Sequence, residues 1–301
     1  YQFNLEEFVP NRIKTSVTVN EPVWRAGQEY PVVVNAQHLF GAPAADRKCE
    51  ALVIFKRGGF APEAWKGFQF ENDSDFIPEP VPCGDEVTDA DGNASFQFSY
   101  QPPSGVTFPM KAIAVGRVFE LGGRPVSGKA ETTYFPSDTA LGISVAQAPD
   151  GNGMEVFAAA VSPDGQPAAL DKVSVTLEKQ VWNYYVRRYY DNHEPRWSES
   201  FQSVETREVP LAQGRGSTVF NPSDYGYYRV KVHSAATQQY STRSFYCYGG
   251  SFQQVDSARP SLIKVALDKE AYDVGQEAVI RIESPFDGQG IVVVQNEEIQ
   301  R

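Results

Sequence analysis

Apolar and polar residues alternate with a period of two along most of this chain. Val17 and Val19 are separated by Thr18, Phe96 and Phe98 by Gln97, and Val173, Val175 and Leu177 by Ser174 and Thr176. That spacing puts successive apolar side chains on one face of an extended strand. No fifteen-residue window repeats apolar positions at i, i+3, i+4 and i+7 between capping residues, so no helix is expected. The segments are short and bounded by Gly and Pro, 24 and 21 of them in the chain. Asp-Gly pairs at 91–92, 150–151, 164–165 and 287–288 supply the positive φ that tight hairpin turns require. The pattern predicts an all-β chain of many short antiparallel strands.

The strands recur in a fixed order. Ile13-Lys-Thr-Ser-Val-Thr-Val19, a turn through Ala26-Gly-Gln-Glu29, and a return along Tyr30 to Ala36 match a later stretch. There Ile263-Lys-Val-Ala-Leu-Asp268 turns through Val274-Gly-Gln-Glu277 and returns along Ala278 to Glu283. A weaker copy starts at Leu141-Gly-Ile-Ser-Val, turns at Pro149-Asp-Gly-Asn-Gly and returns along Glu155 to Val161. The copies start about 120 residues apart, the size of one antiparallel sandwich. Tandem antiparallel β-sandwich modules are therefore expected: residues 1–10 as the end strand of a preceding module, then 11–136, 137–256, and 257–301 as the start of a third. Modules joined near Phe135-Pro136-Ser137 and between Gly249 and Pro260 are expected to be semi-independent. The chain opens in mid-strand and stops just after the apolar run Ile291 to Val294, as a segment of a longer protein would.

Composition narrows the function. With 15 Tyr, 19 Phe and 4 Trp, the chain is rich in residues that suit a pleated, half-buried surface. A net charge of −11 argues against nucleic acid and against anionic lipid surfaces, both of which need clustered Lys and Arg. No run of eighteen apolar residues is present to span a bilayer.

Several strings resemble the macroglobulin-type domains of bacterial alpha-2-macroglobulins. They are Leu5-Glu-Glu-Phe-Val-Pro-Asn-Arg-Ile-Lys14, Leu39-Phe-Gly-Ala-Pro-Ala-Ala45, Thr88-Asp-Ala-Asp-Gly92, Gly122-Gly-Arg-Pro-Val126, and Lys269 to Phe286 with Tyr272-Asp-Val-Gly-Gln and Ser284-Pro-Phe. The resemblance implies immunoglobulin-like, macroglobulin-type sandwiches in a large protein of the periplasm or cell surface, often lipid-anchored. Such proteins trap proteases: an attacker cuts a bait segment and the molecule closes around it. This stretch would be non-catalytic scaffold, with 257–301 opening the bait-region domain. Its partners would be the parent's other domains and, through the parent, target proteases; no cofactor is implied. The alternative is an array of sandwiches in a surface adhesin or carbohydrate-binding protein, with Trp182 and Trp197 stacking on sugars.

The residues that invite chemistry have plainer readings. Cys83-Gly-Asp-Glu86 resembles the family's thioester motif, Cys-x-x-Gln, but Glu86 has no amide for a cysteine sulfur to displace. Cys49 and Cys83 share a module and are candidates for a disulfide, or equally for two buried thiols. Asp85, Asp89, Asp91 and Asn93 lack the Gly and Glu positions of a calcium loop and suit a hairpin turn. His38, His193 and His233 have no metal spacing, and no nucleophile–base pair suggests an enzyme. The stretch Val181 to Trp197 is dense in aromatic and Arg residues, which interfaces favour. The favoured reading is a long hairpin whose aromatics pack within its own module or on its neighbour; after it comes contact with the rest of the parent, with Trp182, Tyr184, Tyr185, Tyr189, Tyr190 and Trp197 as the candidate interface residues.

The sequence therefore predicts inertness to small amines. Methylamine treatment should add no mass at residue 86, as read by mass spectrometry of the digested chain; an adduct there would restore the thioester reading.

Overall fold

The structure is a computed structural model that describes residues 11–76, 79–149, 153–189, 192–222, 224–248, 251–254, 264–267, 276–277 and 279–283. The first half contains β1 (Ile13–Val19), β2 (Val23–Arg25), β3 (Tyr30–His38), β4 (Lys48–Arg57), β5 (Val81–Val87), β6 (Asn93–Phe98), β7 (Met110–Phe119) and β8 (Pro125–Phe135). The second contains β9 (Ala140–Gln147), β10 (Met154–Val161), β11 (Lys172–Tyr189), β12 (Asn192–Pro210), β13 (Arg215–Phe220), β14 (Gly226–Ser234), β15 (Gln239–Tyr248) and β16 (Ser251–Gln254). The pair β17 (Lys264–Leu267) and β18 (Ile280–Glu283) follows. Among the described residues the helical structure is one 3₁₀ turn, Glu63–Trp65.

Each half is a sandwich of a three-stranded and a five-stranded sheet. The orders are β1-β3-β6 over β2-β8-β7-β4-β5, then β13-β10-β9 over β12-β11-β14-β15-β16. Strands β9, β10 and β13 thus hold the places of β1, β3 and β6. Likewise β11, β12, β14 and β15 hold those of β4, β5, β7 and β8. The halves differ in the fifth strand, because β2 joins β8 in parallel whereas β16 joins β15 antiparallel. All three strand–turn–strand copies in the sequence are antiparallel pairs: β1 with β3, β9 with β10, and β17 with β18.

Inward positions of the alternating strands build two cores. In the first, Trp24 stacks on Tyr30 with ring centroids 5.4 Å apart, and Phe55 meets Tyr134 edge-on at 5.0 Å. The buried Tyr134 hydroxyl donates to the Tyr100 carbonyl at 2.9 Å, so its polar tip is satisfied. The second core gathers Ile143, Met154, Val175, Leu177, Val230 and Phe245. Strand β11 pairs with β14 only from Ser174 to Lys179 but continues with β12 as far as Tyr189. The hairpin therefore runs on as a two-stranded ribbon for about 30 Å beyond the sheet.

The first sandwich closes tightly where β1 lies over β7 and β8. Gly116 and Gly128 face each other across β7 and β8. A Cβ at Gly116 would come within 2.5 Å of the Val34 side chain, and one at Gly128 within 2.7 Å of the Thr15 carbonyl oxygen. Overpacking of this kind costs roughly 1–3 kcal/mol. Gly116→Val should therefore lower the unfolding free energy read from urea titration by that amount, while Gly122→Ala, whose Cβ meets nothing within 4 Å, should leave it within about 0.5 kcal/mol.

Candidate functional site: the joint between the sandwiches

The loop between β4 and β5 carries five aromatic residues: Phe76 packs against the first core, and Phe60, Trp65, Phe68 and Phe70 precede it among Gly and Pro. A solvated loop has no use for them. Here those four reach the second sandwich. Pro62 precedes the 3₁₀ turn, which drives Trp65 inward; its indole N–H donates to the Gly165 carbonyl at 2.9 Å. The Arg215 guanidinium lies 4.2 Å from the Trp65 ring centroid and donates to the Ala64 carbonyl. Phe60 packs edge-on against Phe70 and Phe135, and these rings share one buried cluster with Ala140, Ala159 and Val161. Residues of both sandwiches therefore form a third small core at the joint.

Just beyond Phe68 the loop runs extended. Gln69 and Ile143 of β9 exchange two backbone hydrogen bonds, each 2.9 Å. Two residues on, the Glu71 carbonyl accepts the Thr242 amide of β15 at 3.0 Å. The Asn72 side-chain amide donates to Gly105 and Thr107 of the first sandwich, at 3.0 and 3.1 Å, and the Thr107 hydroxyl donates to the Tyr240 carbonyl at 3.0 Å. Arg229 pairs with Asp73 across the joint and with Glu178 on its own sheet, its guanidinium 3.8 Å from the Phe201 ring centroid. The modest joint expected from sequence is instead a packed interface with paired backbone. Trp65, Gln69, Phe70 and Arg229 escaped sequence reasoning, though five aromatic residues in one loop rich in Gly and Pro were a readable signal.

The residues singled out from sequence lie elsewhere. Cys49 and Cys83 are on neighbouring strands and both are free thiols. Cys49 stands opposite Glu86, and Cys83 falls in the bulge where β5 shifts register against Ala51 and Leu52. Burial pushes the Cys49 thiol up to about 12, with Glu50 and Glu86 adding to it, and pushes Cys83 up to about 11. The third thiol, Cys247, is buried in the second core and donates to the Pro222 carbonyl. Asp89 does what a hairpin turn asks: one carboxylate oxygen accepts the amides of Asp91 and Asn93 at 2.9 and 2.8 Å. Among the described residues no three His, Cys, Asp or Glu side chains converge on a metal position.

The aromatic stretch forms the far part of the β11–β12 ribbon, where Trp182 stands opposite Glu199, Tyr184 opposite Trp197 and Tyr185 opposite Arg196. The side chains of Trp182, Tyr184, Tyr185, Tyr189 and Trp197 lie outside the described residues. So do Tyr190, the expected end strand at 1–10, and most of 257–301.

Two tandem all-β sandwiches of repeated topology match macroglobulin-type domains. The family model described as the bacterial alpha-2-macroglobulin MG5 domain matches residues 11–136, and bacterial macroglobulin domain 6 matches 144–249. The alpha-2-macroglobulin of Xylella fastidiosa (strain 9a5c) is 28% identical over 303 residues, covering 98% of this chain and 18% of that protein. That of Escherichia coli (strain K12) is 24% identical, covering 99% of this chain and 19% of that protein. The solved native conformation of E. coli alpha-2-macroglobulin superposes with a TM-score of 0.64 at 21% identity, over 95% of this chain and 19% of that one. The chain belongs to the bacterial alpha-2-macroglobulin family and spans about a fifth of the length of these relatives.

The thiols give a direct check. A group that burial holds protonated contributes its full stability below its ordinary value of 9.0, and loses it as pH rises toward 11 and 12. At pH 8 the folded chain should react negligibly with a thiol reagent at Cys49 and Cys83. All three cysteines should react after unfolding without reductant; one reactive thiol would mean that two are bonded.

Proposed function

We propose that this chain is a non-catalytic scaffold segment of a protease-trapping inhibitor. The consecutive match to the fifth and sixth macroglobulin domains, on two sandwiches of one topology joined through the β4–β5 loop, carries the reading. The best candidate nucleophiles point the same way. An active cysteine needs a thiolate near neutral pH, and burial moves Cys49 and Cys83 in the opposite direction. The scaffold holds the domains that follow it at a fixed position, and residues 257–301 open the next of them, of bait-region type. The boundaries at 136 and near 256, the periplasmic or cell-surface location and a lipid anchor on the parent belong to the same proposal. The aromatic end of the β11–β12 ribbon serves as a contact for another part of the parent. The composition of the stretch supports this, because aromatic and Arg residues are what protein interfaces favour.

The test compares the full-length parent with the isolated chain. Mixed with a protease, the parent should block cleavage of a large protein substrate while leaving a small chromogenic peptide substrate accessible. The isolated chain should change neither rate. A parent that leaves protein cleavage untouched would overturn the trap, and inhibition by the chain alone would overturn its scaffold role.

A further inference from the structure

Equivalent seams of the two sandwiches are closed in different ways. In the first, β1 lies directly over β8, with the Thr15 carbonyl against Gly128. In the second, β9 and β15 hold the equivalent places, yet their outer backbone groups are met by residues of the first sandwich. Ile143 gives its N–H and takes the N–H of Gln69, while Thr242 gives its N–H to Glu71. Between these contacts Phe70, 4% exposed, enters the buried cluster of Phe135, Ala140, Ala159 and Val161. The seam is shaped for that ring: a Cβ on Gly142 would sit 2.7 Å from the Phe70 Cε1 atom.

From these contacts we infer that the β9–β15 seam is a strand-acceptor site for an extended peptide with a central aromatic residue. In this chain Phe68–Asp73 fills it in cis. The chemistry is that of β-augmentation, in which exposed sheet edges supply backbone hydrogen bonds and a pocket selects the side chain between them. The filled seam also covers two edges that would otherwise offer unpaired amides to other chains. It makes the second sandwich depend on the first. Whether the parent traps proteases does not enter, since every contact lies within this chain.

The test uses the whole chain. Residues 67–73 are replaced by Gly and Ser at equal length, and a synthetic peptide of residues 60–73 is added in trans. The replaced chain should melt roughly 5–10 °C lower, as expected for loss of a buried aromatic anchor with its hydrogen bonds. The peptide, carrying a fluorescent label at its N-terminus, should bind it, seen as a rise in fluorescence anisotropy, and should raise its melting temperature. The intact chain, whose seam is filled, should bind none. An unchanged melting temperature, or a folded replaced chain that ignores the peptide, would overturn the site.

If the replacement prevents folding, Gly142→Ala decides. Gly to Ala within a strand is ordinarily neutral or favourable. Here it should lower the melting temperature in the wild-type chain and cease to do so in the Phe70→Ala background. Equal effects in the two backgrounds would show that Phe70 does not occupy the seam.

Discussion

One ring and three backbone hydrogen bonds decide how this molecule holds together. Phe70 lies over the bare backbone of Gly142, with Gln69 bonded to β9 on one side and Glu71 to β15 on the other. Without that segment β9 and β15 would keep their links through Ser241 and Arg243 but lose the bonds to Gln69 and Glu71, and the joint would lose its central hydrophobic residue. With it, two modules that repeat one topology share a core. Trp65, Arg215, Asn72 and Arg229 reinforce the contact, each tying the connecting loop to a different strand or turn. Most of these partners are polar and partly exposed, so their individual contributions are small, and the apolar cluster supplies most of the stability.

The fold class was legible because alternation is a local signal. Val17 and Val19, or Val173 and Val175, declare a strand without reference to anything distant, and the three strand–turn–strand copies declare a repeat. The second sandwich's topology follows the first strand for strand, which explains why even its weak copy could be recognised. The joint was not legible in the same way. Residues 60–73 have neither period, and their structure is set by Ile143, Thr242 and Gly165, about seventy to a hundred and seventy positions further along the chain. Five aromatic residues in one loop are a sign of docking, but nothing in them says where. Gly142 read as an unremarkable strand glycine, and only the ring above it explains why no side chain is present.

The conspicuous chemistry in the sequence proved to be architectural. Cys83-Gly-Asp-Glu86 is a bulged edge strand whose thiol burial keeps protonated. Asp89 ties its own turn. Both motifs borrow residue types that elsewhere hold metals or form thioesters, because short polar side chains and tight turns serve both purposes. The scaffold role proposed for this chain asks for antiparallel sheets and a packed joint between them, and both are present.

Native-state hydrogen exchange at the joint tests that claim most directly. If the seam segment is part of the second sandwich, the amides of Gln69, Ile143 and Thr242 open only with the core around them. They should then exchange as slowly as amides of the central strands β10 and β14. Exchange of Gln69 and Thr242 at the rate of an exposed loop, with β10 and β14 still protected, would show two independent modules with a loop resting between them.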